Sequence, residues 1–381
     1  MSVSPLKHCV VVTNFHENQP GFLDFAYRIK TLSQYYQLTI ISHQPITQAE
    51  LLFANTNYVI LKQTQGKVGL LYYCLQSARY IRKTKPSVAV LMHSSLSLIT
   101  LMLPMAPCAL YWNEHPSNLM RLPERFSPLK YLLTVIMHKV LFFGAKRADL
   151  VMPIGEEHYG DLIAHGSNSG RVVMIYMGVD DAFFEKKSTK SQHIQLPLKL
   201  IYIGTVSQQR GRDVMLEAMV DLAEEGIPVH LTIVGADDIE LTYCKARIQQ
   251  LGINTHVEVL GRVTGDQIPK MLANADIGIC LWEDKPWWRF NPPTKLFEYL
   301  TAGLPVLASD IRTHTRYIQN WRNGLVFEYS AEGLTSAIGE LVLNKSRLST
   351  MKLEATVDGE QYLWSKIEPH FLNKVANLVQ K

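Results

Sequence analysis

Metal-ligand and dithiol spacings are missing from this 381-residue chain. Its five cysteines, Cys9, Cys74, Cys108, Cys244 and Cys280, form no Cys-x-x-Cys. They read as buried thiols of a reducing compartment, with neither a zinc site nor a redox pair. No Gly-x-Gly-x-x-Gly follows the first predicted strand, so a nicotinamide or flavin site there has no support. No basic run is interleaved with aromatics, which counts against nucleic acid as a partner. No short fixed period recurs, which excludes a solenoid. The opening MSVSPLKHCVVV moves straight into a strand with no small-residue cleavage site, so no leader is expected. Ser94 to Trp112 is 19 residues without a charge, the length of a membrane span, but Pro104 and Pro107 break it. A buried helix followed by the strand 109–112 is the better reading.

What is present is apolar surface in quantity. Hydrophobic residues make up 47% and charged residues 19%, enough for two domains with real cores and too few charges for global disorder. The net charge of +4 is unevenly placed: residues 1–180 carry 16 Lys+Arg against 10 Asp+Glu, the remainder 22 against 24. A basic first half suits an anionic surface such as lipid headgroups. Within it, 121–147 mixes Arg121, Arg125, Lys130, Lys139, Lys146 and Arg147 with long apolar runs. Lys130, Thr134 and His138 share a stripe at four-residue spacing. Two readings stand: a core helix with a solvated stripe, or a helix lying on a membrane surface.

Taken in order, the chain alternates short apolar strands with helical periods, twice over. Strands are expected at 8–13, 38–42, 58–61, 87–92, 109–112, 149–154 and 172–176, and helices at 22–35 and 68–85. After the polar, aperiodic stretch 185–197 the rhythm restarts. Strands are then expected at 199–203, 229–234, 257–260, 277–281, 306–308 and 324–327. Helices are expected from Asp213, as N-cap, to Glu225, at 241–251, from Asp266, at 331–343 and at 362–379. The pattern predicts an α/β chain of two Rossmann-like, doubly wound domains: 1–184, a linker 185–198, 199–358, and a C-terminal helix 359–381.

One stretch organises the second half, LWEDKPWWRFNPPTKLFEYLTAGLPVLASD from Leu281 to Asp310. A strand runs into an aromatic loop, Pro292-Pro293 start a helix, Gly303 stops it and Pro305 opens the next strand. The helix N-terminus, with Thr294 and Lys295, therefore stands at the carboxyl end of a strand, where open α/β sheets bind phosphate-bearing ligands. Glu298 lies one turn deeper, placed to accept hydrogen bonds from hydroxyls. In the first half, Tyr111-Trp112-Asn113-Glu114-His115-Pro116 ends a strand in consecutive polar groups, read either as a site or as an ordinary turn.

These residues resemble the GT-B glycosyltransferases of the retaining family 4 type. The resemblance rests on Tyr176-Met177-Gly178-Val179-Asp180, on Gly204 through Arg210-Gly211, on Pro293 to Val306, and on Tyr362-Leu363-Trp364-Ser365. It implies two such domains facing a cleft, with the last helix crossing back to the first. It implies a sugar transferred from a UDP- or GDP-sugar to a glycan or lipid-linked acceptor, with retention, in cell-surface polysaccharide biosynthesis (lipopolysaccharide, capsule or exopolysaccharide). By the same resemblance Glu298 holds the ribose, Arg210 contacts the diphosphate, and Arg262 and Val263 line the base. Gly204, Thr205, Gly211, Thr294 and Lys295 complete the phosphate loops. The family's second basic residue is Thr205 here, leaving its contact to Lys295 or to helix N–H groups. Another family glutamate is Phe290 here, with Glu283 and Asp284 as substitutes in the loop. His115, with Glu114 as rival, matches a histidine near the donor sugar. No metal or other cofactor is implied. A cytoplasmic location is expected, peripheral at the inner face of the membrane through 121–147. A nucleotide-sugar 2-epimerase and a non-catalytic scaffold of the same fold remain as alternatives.

Overall fold

The computed structural model describes residues 6–15, 22–47, 53, 55–61, 66–102, 106–123, 127–186 and 194–380. The chain folds as two compact units, residues 1–178 with 367–381, and residues 179–366. The division at Gly178 has a local cause. Val179 pairs with Leu363, its N–H donating 2.8 Å to the Tyr362 carbonyl while its own carbonyl accepts from Trp364.

In the first unit the strands are β1 (His8–Val12), β2 (Gln37–Ser42), β3 (Thr56–Ile60), β4 (Val88–Leu91), β5 (Cys108–Trp112) and β6 (Leu150–Pro153). Its helices are α1 (Phe22–Tyr35), α2 (Gly66–Thr84), α3 (Ser97–Thr100), α4 (Pro116–Leu119), α5 (Pro128–Arg147) and α6 (Glu156–Ala164). All the strand pairings are parallel, in the order β3-β2-β1-β4-β5-β6. Strands buried on both faces read as unbroken apolar runs, which is why β1, β4 and β5 were legible without alternation.

In the second unit α7 (Asp181–Glu185) precedes β7 (Leu198–Ile203), α8 (Arg212–Glu224), β8 (Val229–Ala236), α9 (Asp238–Leu251) and β9 (Val257–Gly261). There follow α10 (Ile268–Ala273), β10 (Ile277–Cys280), α11 (Thr294–Thr301), β11 (Val306–Ser309), α12 (Arg312–Thr315), β12 (Gly324–Phe327), α13 (Ala331–Leu343) and α14 (Leu348–Gly359). This sheet is also parallel, ordered β12-β11-β10-β7-β8-β9. The last helix, α15 (Trp364–Val379), starts in this unit and contributes most of its residues to the other. Each sheet reverses its strand order once, between β1 and β4 and between β7 and β10. Those reversals leave a crevice at the strands' carboxyl ends, where ligands bind in such sheets.

Several expectations are corrected. The strand at 172–176 is a single bridge from Val172 to Val151. The segment runs on beside β6, but Pro153 has no N–H with which to continue the ladder. The N-cap of α8 is Gly211, not Asp213; Asp213 instead takes two hydrogen bonds from Arg212. The helix expected across 121–147 begins at Pro128, and Arg125 lies outside the described residues. Its presumed solvated stripe is not one. Thr134 is buried and His138 bonds the Met120 carbonyl at 2.8 Å, while Leu129, Tyr131, Leu132, Leu133, Ile136 and Phe143 are exposed. Other expectations hold: Ser94–Trp112 contains the short buried helix α3 and the buried strand β5. All five cysteines are buried free thiols. Half of the linker, 187–193, lies outside the described residues.

Candidate active site

The second unit's crevice is built by packing α11 onto β7 and β10. Leu296, Phe297, Tyr299, Leu300 and Thr301 are buried. The Tyr299 hydroxyl accepts 2.9 Å from the Ile203 N–H and donates to the Ile279 carbonyl, so one side chain ties the helix to both strands. The ring needs Gly278 beneath it: a Cβ there would lie 2.5 Å from Tyr299 Cδ2. Behind α11, α14 closes in. Thr301 Oγ1 donates to the Gly359 carbonyl, and a Cβ on Gly359 would strike the backbone of Leu300 at 2.4 Å. Helix α11 is thus held rigidly with its first turn, whose N–H groups have no intrahelical acceptors, at the crevice.

Two cations converge there. Lys295 Nζ lies 3.6 Å from the ring centroid of the buried Tyr202, so close to the Gly204 backbone that a Cβ on Gly204 would come within 3.1 Å of it. Arg210 stands with its Cζ 4.5 Å from the Trp282 ring and 4.9 Å from Trp288. Between the two loops Gly211 has φ +78°, and a Cβ would meet Leu281 Cδ2 at 1.9 Å, so only glycine lets the Arg210 loop approach β10.

Glu298 follows Lys295 by three residues on the same helix face. Burial pushes its carboxyl from the usual 4.5 up to about 7, against the pull of Lys295. Burial likewise brings Lys295 from 10.5 down to about 7, with the neighbouring Arg210 charge acting in the same direction and Glu298 opposing it. The free site therefore sits with an acid and a base both near their midpoints at neutral pH, a condition that a bound anion would change.

Thr294 opens α11, and the Thr205 side chain is exposed beside Gly204, its carbonyl accepting 2.7 Å from Tyr202. The other sequence candidates are more dispersed. Arg262 is exposed and Val263 half-buried, just past β9 at the sheet edge. Glu283 is 2.5 Å from Lys285 Nζ, and Asp284 pairs with Arg289 at 2.6 Å, so both proposed substitutes for the missing glutamate are engaged by their own loop's cations. Among the described residues no cluster of three or more His, Cys, Asp or Glu is placed to hold a metal.

In the first unit His115 is buried and caps α4. Its Nδ1 accepts 3.1 Å from the Ser117 N–H, and Nε2 is 2.8 Å from Asp161. With Nδ1 accepting, Nε2 carries the proton and donates to the carboxylate. Burial lowers its pKa, with Asp161 opposing. Glu114 accepts from Asn118 at 2.7 Å. Both candidates are tied into the local turn. The group at the β1/β4 reversal is another histidine, His93, which directly follows Met92 beyond β4 and has Asn14 nearby through Ser95. Its Nδ1 accepts from the Ser95 N–H, and burial lowers its pKa to about 4. Sequence reasoning passed it by because the strand order that makes it central is not written in the local pattern.

Residues 183–356 match the sequence profile of the glycosyl transferases group 1. Among curated relatives, the colanic acid biosynthesis glycosyltransferase named WcaL is 24% identical in Salmonella typhimurium over 214 residues, 56% of this chain and 51% of that one. In Escherichia coli K12 it is 25% identical over 234 residues, 61% and 55%. The amylovoran biosynthesis glycosyltransferase AmsK of Erwinia amylovora is 24% identical over 200 residues, 52% and 48%. The matches thus span about half the length of these relatives. Among solved structures, Anabaena HepE in complex with UDP-glucose superposes with TM-score 0.72 at 13% identity, covering 97% of this chain and all of that one. The lipopolysaccharide outer core galactosyltransferase WaaB superposes with TM-score 0.70 at 12% identity, covering 98% and 99%. Residues 183–356 are thus similar to the glycosyl transferases group 1, and the chain as a whole has the GT-B fold of these solved structures.

Proposed function

We propose that the chain transfers a sugar from a nucleotide-diphosphate-sugar to a glycan or lipid-linked acceptor in cell-surface polysaccharide biosynthesis, with retention. The observation that carries this is the convergence of Arg210, Lys295 and the α11 N-terminus at the β7/β10 reversal, with Glu298 one turn in. The bond that breaks joins the anomeric carbon to a phosphate oxygen, so negative charge grows on the departing diphosphate. Two cations and a helix N-terminus stabilise that charge, and the reaction is proposed to run without a metal on their account. Glu298 accepts the ribose hydroxyls. The acceptor hydroxyl attacks on the face from which the diphosphate leaves, its proton passing to the departing oxygen. HepE was solved with UDP-glucose, and WcaL and AmsK are named for exopolysaccharide synthesis, which supports this reading of donor and pathway class.

A panel of UDP- and GDP-sugars assayed by thermal shift is expected to give one base that raises the melting temperature, because a ligand binding only the folded state stabilises it. Nucleotide release that requires an added acceptor extract then separates transfer from isomerisation. Interconversion of free nucleotide sugars without acceptor would establish the epimerase instead. No shift with any member of the panel would leave a scaffold.

A second observation concerns where the enzyme works. Leu129, Leu132, Leu133, Ile136 and Phe143 of α5 are exposed among Lys130, Lys139, Lys146 and Arg147. By length and composition α5 could cross a membrane, but Leu141, Phe142 and Ala145 are packed into the first unit's core. We read it as lying on an anionic bilayer, apolar residues in the headgroup boundary and lysines on the phosphates. The intact protein is expected to co-sediment with vesicles containing phosphatidylglycerol at low salt, and less as salt rises. Failure to sediment at low salt would remove the assignment.

A further inference from the structure

Arg210 is the phosphate-site cation with the most elaborate support. Its guanidinium lies against both Trp282 and Trp288, whose own ring centroids are 5.6 Å apart. The tryptophans are fixed in turn. Ser309 Oγ accepts from the Trp282 N–H at 2.9 Å and donates to the Trp282 carbonyl at 2.7 Å. Thr313 Oγ1 donates to the Trp288 carbonyl at 3.1 Å, and buried Ile311 belongs to the same apolar cluster as the two rings. The Trp282 Nε1 is buried with no hydrogen-bond partner among the described residues. A buried indole ordinarily satisfies its N–H. This one leaves the N–H unmet while presenting a face to a cation.

We propose that Trp282 and Trp288 are positioning residues for Arg210, their ring faces presetting the guanidinium at the β7/β10 crevice before the diphosphate arrives. The role rests on the nucleotide-sugar reading above. A solvated arginine is mobile and loses rotamer freedom when it engages a phosphate. A π face attracts the cation without neutralising it, so the arginine is ordered in advance with its charge intact. The end of β11 and α12 thereby reach the phosphate site through two tryptophans, and loop 281–288 becomes part of donor binding although neither indole need touch the donor.

The test is a double-mutant cycle read by calorimetry with UDP and GDP. Trp288→Leu is expected to weaken binding of the preferred diphosphate roughly five- to thirty-fold. Trp288→Phe, which keeps a ring face, should recover most of that loss, as should Trp282→Phe at its own position. In an Arg210→Ala background Trp288→Leu should cost almost nothing more, because the group it positions is gone. Melting temperatures report whether each variant folds. If Trp288→Leu does not, the two phenylalanine variants, each weakening binding less than threefold, carry the same cycle. Equal losses with and without Arg210 would overturn the positioning role while leaving the donor reading intact. Absence of binding by the unmodified protein to either diphosphate would sink both.

Discussion

Replacing Glu298 by alanine is expected to weaken donor binding by roughly ten- to a hundred-fold, the scale for losing hydrogen bonds to a charged acceptor in a sheltered site. It should do so without lowering the melting temperature. The carboxyl is held near 7 chiefly by burial, so above neutral pH its ionised form is a burden on the folded state. Removing it relieves that burden, and at pH 8 the variant should melt slightly higher than the parent. Opposite movements of affinity and stability are the signature of a group kept for a ligand and not for the fold. Glu298→Gln keeps an acceptor but loses the charge and should fall between parent and alanine. Calorimetry with the preferred UDP- or GDP-sugar checks the affinity, and calorimetric melting checks the stability. Unchanged affinity in the alanine variant would argue that Glu298 is an ordinary half-buried helix carboxylate.

The legibility of this site follows from local chemistry. The run from β10 through α11 to β11 was readable because each boundary has its own local signal. Pro293 stands at the helix start, Gly303 has φ +71° at its end, and β10 and β11 are unbroken apolar runs. The Lys295–Glu298 relation needed only helical spacing. Helix α14 was missed although its buried positions Leu348, Met351, Ala355 and Gly359 fall at helical intervals, because Thr, Lys, Glu and Asp between them hid the stripe. That omission mattered, since α14 is what braces α11. The tryptophan shelf under Arg210 could not be read at all: Arg210 and Trp288 are far apart in sequence, and only the parallel neighbours β7 and β10 bring their loops together. The same holds in the first unit. Glu114-His115 drew attention as adjacent polar groups at a strand end, but their partners, Asn118, Ser117 and Asp161, are set by a turn and a helix. Strand order, which long-range pairing decides, makes His93 the histidine at the reversal.

Donor binding is expected to be strongest near pH 7 and to change the sign of its proton linkage there. The two groups responsible are Lys295 and Glu298, both near 7 in the free protein. Consider pH 8.5. Lys295 is then mostly neutral, a bound diphosphate favours its ammonium, and binding takes up a proton. At pH 5.5 Glu298 is mostly protonated, ribose hydroxyls favour its carboxylate, and binding releases a proton. At the midpoint a proton passes from one side chain to the other with no net exchange. Affinity should therefore fall by about tenfold per pH unit on each flank, one proton being linked on each. The free protein's stability follows the opposite course. The raised Glu298 removes stability as pH climbs from 4.5 to 7, where the unfolded chain binds fewer protons. The lowered Lys295 returns it from 7 to 10.5, where the unfolded chain binds more. A nucleotide-sugar is the right probe, because its pyrophosphate, esterified at both ends, does not titrate in this range. Calorimetry in buffers of differing ionisation enthalpy counts the protons directly. Lys295→Ala should abolish the alkaline uptake alone and Glu298→Ala the acid release alone. Proton exchange of one sign across the whole range would show that the diphosphate and ribose are not held by this pair.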